Sequence, residues 1–213
     1  MARVRSRGPG EIVSLAAGRA RELGGIGETL IVLTLEVDEA EGASGTELSF
    51  REAQATDGPA YARAIGTDSA STFARRLSPT TRCFLAELSG RIAHSSWVTT
   101  SAAWTRELDG YLRPPPGDAY VYESYTRPDV RGHGIYPFAL ANIAGWGHER
   151  GLGRLWIAVE SGNRASLRAI TKAGFAPAFE LPYKRKLGRV TVGRAEGPLA
   201  GPGDRALALS RRA

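Results

Sequence analysis

Runs of β-branched and aromatic residues alternate along this chain with stretches whose apolar residues recur at helical spacing, the pattern of a mixed α/β domain. Thr29 to Val37 reads as a first strand and Leu48 to Arg51 as a second. Asp57 followed by Pro59 marks a helix start with Asp57 as N-cap, and a weak helical pair continues to about Arg76. Arg82 to Leu88 and Arg91 to Thr99 form two strands joined by Ser89-Gly90, a two-residue hairpin turn. A polar loop containing Trp104 and Pro114-Pro115-Pro116-Gly117 leads to a strand at Ala119 to Thr126.

The second half is more regular. Gly134 opens a helix to about Arg150 in which Ile135, Phe138, Ala139, Ile143 and Trp146 share one apolar stripe with Asn142 at its edge. Pro137 falls in the first turn, where its missing N–H leaves no helical bond unmade. Gly151 to Gly153 end this helix, Arg154 to Glu160 is a short buried strand, and Asn163 to Ala173 is a helix closed by Gly174. Ala178 to Leu181 and Arg189 to Val192 are candidate final strands.

These patterns divide the chain into an N-terminal extension, 1–45, a central domain, 46–195, and a Gly/Pro-rich tail, 196–213, with room for a short terminal strand. In the extension, Arg3, Arg5 and Arg7 precede a helical stretch from Glu11 to Leu23, read either as a solvated terminus or as an amphipathic helix docking on a membrane or partner. Asp38 to Thr46 reads as a linker.

The charge balance narrows the partners. Of 28 basic residues 25 are Arg, against 22 acidic, so the net charge of +6 favours anionic ligands. A single cysteine, Cys83, excludes an internal disulfide framework, and His94, His133 and His148 have no metal-ligand spacing, so no metal is expected and a cytoplasmic location is. No apolar run approaches the roughly 18 residues of a membrane-spanning helix.

The chemistry concentrates at Arg127-Pro-Asp-Val-Arg131-Gly-His-Gly134-Ile-Tyr136, between a strand and the long helix. Gly132 and Gly134 permit a tight turn whose successive N–H groups face one point, and the helix adds its positive dipole end there. The result is an anion site suited to a pyrophosphate. The full dinucleotide-binding and P-loop patterns are absent.

Pro128-Asp-Val-Arg131-Gly-His-Gly-Ile135 resembles the cofactor-binding motif A of the GNAT N-acetyltransferase superfamily. Asn163-Arg-Ala-Ser166 followed by Lys172-Ala-Gly-Phe175 resembles its motif B, and the likeness extends from about Glu47 to Leu181. The resemblance implies an α/β fold of the α+β type: a mixed, mostly antiparallel central sheet, flanked by helices and splayed between its fourth and fifth strands. It implies acetyl-CoA or another acyl-CoA as co-substrate, held by N–H groups from Arg131, Gly132, His133, Gly134, Ile135 and Tyr136, with the pantetheine along Ser124, Tyr125 and Thr126 and facing Asn163. It departs from the family at Tyr136, where motif A ends in a small residue, and at Ile170, where many members carry the tyrosine that protonates the leaving thiolate.

In direct transfer an amine attacks the thioester, so a base, oxyanion donors and a proton for the thiolate suffice. Glu123 is the candidate base or amine-orienting carboxylate, and Ser166 a substitute donor to the thiolate, with Tyr183 and Tyr122 as others. Cys83, Trp97, Trp146 and Trp156 read as core, His94 as a packed strand residue, and Trp104 as a possible acceptor-site wall. The acceptor is a small-molecule or peptide amine, and a homodimer is compatible with the resemblance. Two other readings stay open: a non-catalytic acyl-CoA sensor of the same fold, and a basic protein binding nucleic acid or an acidic surface. No helix-turn-helix, zinc-finger or RNA-recognition signature supports nucleic acid.

Overall fold

Residues 83–86 and 92–99 are buried without interruption, Phe84 and Trp97 among them, in a hairpin whose turn residues Ser89 and Gly90 both take positive φ, 50° and 73°. That hairpin belongs to the main sheet of the computed structural model, which describes residues 27–37, 42–43, 47–200 and 208–210. The expected Glu11 to Leu23 helix, with Arg3, Arg5 and Arg7, lies outside the described residues.

In chain order the strands are β1 (Gly27–Glu36), β2 (Leu48–Glu52), β3 (Thr81–Leu88), β4 (Arg91–Thr99), β5 (Ala103–Thr105), β6 (Gly110–Arg113), β7 (Ala119–Thr126), β8 (Arg154–Glu160), β9 (Ala176–Lys186), β10 (Arg189–Val192) and β11 (Ala208–Ser210). The helices are α1 (Gly58–Ala64), α2 (Ala70–Arg76), α3 (Ile135–Glu149) and α4 (Arg164–Lys172). Eight strands form one sheet in the order β10-β9-β1-β8-β7-β4-β3-β2, antiparallel at every junction except the parallel pair β7–β8. The loop before β7 carries the small hairpin β5–β6, to which β11 adds a third strand. Leu140, Ile143 and Ala144 of α3 and Ile170 of α4 bury against Val121, Leu155 and Ile157 of the sheet.

The first strand changes the division of the chain. β1 is not set apart from the domain that follows: it lies between β8 and β9, pairing Leu30 with both Glu160 and Leu181. Val32 and Leu33 are 0% and 1% exposed, so this segment is part of the core and not an extension of it. β9 is longer than Ala178 to Leu181, because Pro177 sits at the register shift opposite Leu33, a bulge where a strand tolerates proline.

Asp57 also departs from its expected role. A short 3₁₀ turn at Ala55–Asp57 precedes α1, and the Asp57 side chain makes no cap bond to that helix. Its carboxylate accepts from the Gln54 N–H at 2.7 Å and pairs with Arg51 at 2.8 and 2.9 Å, which holds its ionisation below the usual aspartate range.

Candidate active site at the strand splay

The parallel pairing of β7 with β8 stops at Val121–Ile157, although β7 continues to Thr126 and β8 to Glu160. From Tyr122 onward the two strands diverge, and the backbone of β7 facing β8 has no strand partner there. Two cavities open at this divergence, one of about 450 Å³ towards β5 and one of about 640 Å³ towards the start of α3. They share Ser124, Tyr136, Asn163 and Ser166, so they form one cleft with a common junction.

The larger cavity brings together Ser124, Tyr125, Thr126, Arg131, Gly132, Gly134, Ile135, Tyr136 and Asn163. Gly132 and Gly134 have φ of 88° and 72°, and a Cβ at either would meet nothing within 4 Å, so glycine is required by conformation and not by crowding. Phe138 makes the first intrahelical bond, to Gly134 at 3.1 Å, so the N–H groups from Gly132 to Tyr136 precede the helical ladder, while that of Arg131 reaches the Pro128 carbonyl at 3.5 Å. His133 is the loop residue that does not line the cavity: its Nδ1 lies 3.1 Å from the Arg131 carbonyl. Arg131 folds back, donating from Nε to the Thr126 carbonyl at 3.1 Å. Arg127 ties the loop base to β4 through the Ile92 carbonyl at 3.1 Å and pairs with Asp129, keeping that carboxyl below its ordinary range.

Glu123 sits on a β-bulge with φ of 47°, opposite the register shift between Ser95 and Trp97. The bulge turns its half-exposed carboxylate to the edge of the smaller cavity, where Arg76 of α2 holds it at 2.7 Å. Arg76 also pairs with Asp68 at 2.5 Å and lies over the Trp97 ring. Burial opposes its charge, but Glu123 more than offsets this and keeps the guanidinium firmly protonated. Glu107 and Glu160 line the same cavity, with Trp104 at its rim, 46% exposed.

Beneath the junction runs a chain of polar groups that joins Ser124 and Thr126, both expected along the pantetheine, through His94 and Ser96, for which the sequence suggested no function. Thr126 Oγ1 lies 2.7 Å from His94 Nδ1, His94 Nε2 lies 2.8 Å from Ser96 Oγ, and Ser96 Oγ lies 2.7 Å from Ser124 Oγ. His94 is fully buried, and burial pulls its pKa down to about 3, so the imidazole is neutral. The Tyr136 ring stacks on it with centroids 5.1 Å apart. Burial raises the Tyr136 phenol to about 12. The signal available in the sequence was a pair of two-residue spacings, His94-x-Ser96 and Ser124-x-Thr126, which put polar groups on one face of each strand.

The other sequence candidates separate. Asn163 caps α4, its Oδ1 accepting from the Ser166 N–H at 3.2 Å, and Ser166 borders both cavities. Tyr183 donates towards Glu28 and Glu160 at 2.7 and 2.8 Å and does not line the cleft, while Tyr122 lines the smaller cavity. Ile170 lines the smaller cavity, 1% exposed. Cys83 is buried, which pushes its thiol well above its ordinary value.

A glycine turn thus stands beside the splay of a mixed sheet. Residues 49–175 match the sequence profile of the acetyltransferase (GNAT) family, and the chain belongs to that family. Its fold is similar to an N-acetyltransferase related to GCN5 from Sphaerobacter thermophilus, with a TM-score of 0.57 at 14% identity over 84% of this chain and 58% of that one. It is also similar to a GNAT acetyltransferase from Novosphingobium aromaticivorans, with a TM-score of 0.51 at 16% identity over 75% and 64%. An N-acetyltransferase related to GCN5 from Kribbella flavida gives 0.51 at 17% identity over 79% and 60%. The chain thus spans under two thirds of the length of each of these three. No curated protein matches its sequence. Among the described residues no helix is long and apolar enough to cross a membrane.

Proposed function

We propose that this protein is an acyl-CoA-dependent N-acyltransferase that moves acetyl from acetyl-CoA to a primary amine by direct attack on the thioester. The observation that carries this reading is the single cleft formed by two cavities that meet at Ser124, Tyr136, Asn163 and Ser166. A two-substrate transfer without a covalent enzyme intermediate needs this: donor and acceptor on opposite sides of one reacting point.

The residues present fit the donor. The positive-φ turn at Gly132 and Gly134 and the start of α3 offer N–H groups to the pyrophosphate. Ser124 to Thr126, paired with β4 on one side and with no strand on the side towards β8, offer an edge for the pantetheine amides, and Asn163 faces that arm. On the acceptor side, Glu107, Glu123 and Glu160 suit an amine, with Glu123 orienting it and accepting its proton. Arg76 fixes that carboxylate in place. Ser166 directs a hydroxyl at the reacting group.

The test is a thiol-release screen with acetyl-CoA over small amines, amino sugars, lysine peptides and peptide N-termini. Acceptor-dependent release supports the reading. Saturable acetyl-CoA binding with no release across all classes would instead favour a sensor.

A further inference from the structure

The smaller cavity holds more acid than one amine uses. Its charged lining residues are three glutamates, Glu107, Glu123 and Glu160, and one arginine, Arg106. The Arg106 side chain is 84% exposed and lies 3.4 Å from Glu107, a contact that solvent screens, whereas the Glu107 side chain is only 23% exposed. Glu123 already has Arg76, which it shares with Asp68. Glu160 has no basic partner among the described residues: it accepts from the Tyr183 hydroxyl at 2.8 Å, and that same hydroxyl lies 2.7 Å from Glu28 Oε2. A phenol has one hydrogen to give, so the two carboxylates share it and Glu160 keeps its charge.

The group that points to a ligand here is a neutral one. Thr105, the last residue of β5, is 6% exposed and lines this cavity, yet its Oγ1 has no hydrogen-bond partner. A hydroxyl buried in that state costs free energy that a donor placed in the cavity relieves. Its surroundings decide the sign of that donor. Thr105 and Glu107 belong to one turn, closed by the Leu108 N–H to the Thr105 carbonyl at 3.2 Å. Arg185 of β9 holds this turn through the Arg106 carbonyl at 2.6 Å, and Tyr183, two residues earlier on the same face of β9, reaches Glu160. The strand thus brings Thr105 and Glu107 to the side of Glu160. Glu123 stands on the other wall, because β7 and β8 part after Val121–Ile157 and carry Glu123 and Glu160 away from each other.

Resting on the acyl-transfer reading above, we propose that the acceptor is a primary amine that carries a second ammonium group. The reacting nitrogen sits at Glu123, and the second ammonium is held by Glu107, Glu160 and the Thr105 hydroxyl, which accepts one of its N–H bonds. A monoamine leaves that hydroxyl unpaired and the two carboxylates uncompensated. An amine with a carboxylate at its far end meets like charge there.

The test measures binding before turnover. Putrescine, butylamine and γ-aminobutyrate, close in length and different at the far end, are titrated calorimetrically into the full-length protein with CoA present. Putrescine binds at least about tenfold more tightly than butylamine, γ-aminobutyrate binds more weakly than either, and added salt erodes the difference. Glu107→Gln and Thr105→Val each narrow the putrescine preference by about threefold or more, and Glu107→Lys shifts it towards γ-aminobutyrate. Spermidine and kanamycin, run alongside, tell a linear polyamine from an amino sugar with the same charges; tighter binding of either than of butylamine supports the proposal. In the thiol-release assay the same order appears in kcat/KM, mainly through KM, because the second ammonium is held equally before and during transfer. Equal affinity for putrescine and butylamine would overturn the proposal while leaving acyl transfer standing. Absence of thiol release from every amine would overturn the acyl-transfer reading and, with it, the assignment of this subsite to an acceptor.

Discussion

The Arg76 guanidinium lies 3.9 Å from the centre of the Trp97 ring, stacked on a side chain that is fully buried. The same head reaches the Glu123 carboxylate at 2.7 Å, so the acid at the cleft mouth is tied to the aromatic core formed with Tyr61 and Phe73. Arg76→Ala removes a cation–π contact and two ion pairs in a partly desolvated setting, and thermal unfolding should show a loss of about 1–3 kcal/mol. Turnover should fall further than stability, and the double variant with Glu123→Gln should cost less than the two single losses added together. Strict additivity in a double-mutant cycle would show that Arg76 does not act through Glu123.

In the proposed donor site the backbone conformation of Gly132 and Gly134 is what positions the N–H groups. Gly134→Glu forces a side chain into a left-handed conformation at φ of 72° and puts a carboxylate where an anion should sit. The variant should fold, since open space surrounds the Cβ position, but acetyl-CoA should no longer raise its melting temperature. A thermal shift equal to that of the unmodified protein would remove the turn from the donor site.

Buried, neutral His94 makes stability fall on acidification. Its folded pKa lies near 3 against an ordinary 6.5, so the unfolded chain takes up a proton that the folded one refuses. The penalty is absent above about pH 6.5 and grows as pH falls towards 3, by about 1.4 kcal/mol for each pH unit. His94→Gln, measured by denaturant unfolding between pH 4 and 7, should show a shallower decline than the unmodified protein; parallel curves would show that His94 carries no such linkage.

Deleting residues 1–45 should abolish soluble expression, because it removes β1 and leaves the edges of β8 and β9 without partners. Leu33→Asp, which buries a charge at a position 1% exposed, should unfold the intact chain for the same reason. A soluble, acetyl-CoA-binding fragment starting at Thr46 would show that β1 is dispensable.

Much of this arrangement could be read from the chain. The hairpin turn at Ser89-Gly90, the glycines of the anion turn and the period-two and helical patterns are local signals, set by residues a few positions apart, and they located β3, β4, β7, β8, α3 and α4. What was not legible was non-local. The run of β-branched and apolar residues in Thr29 to Val37 announces a strand but says nothing about which neighbours it has, so its place between β8 and β9 was missed. The same holds at the site: His94 reads as a packed strand residue until β4 and β7 are laid side by side and Thr126, Ser96 and Ser124 fall into contact with one another through it. Arg76 belongs to Glu123 only because the bulge at φ of 47° turns the carboxylate towards α2.

The position of β1 also dictates an order of events during synthesis. Glu36 and Arg154, joined at 2.7 Å across β1 and β8, are 118 positions apart in the chain, so β1 leaves the ribosome long before either strand that will flank it has been made. An apolar segment such as Leu30 to Leu35 must wait, exposed, while the hairpins of the other half-sheet assemble. Closing loops of that length makes such pairings slow to form and open to intermolecular capture in the interval. The strands on either side of the cleft therefore mature at different times, and the wall that carries β8 is complete only when an early-made strand is locked between two made much later.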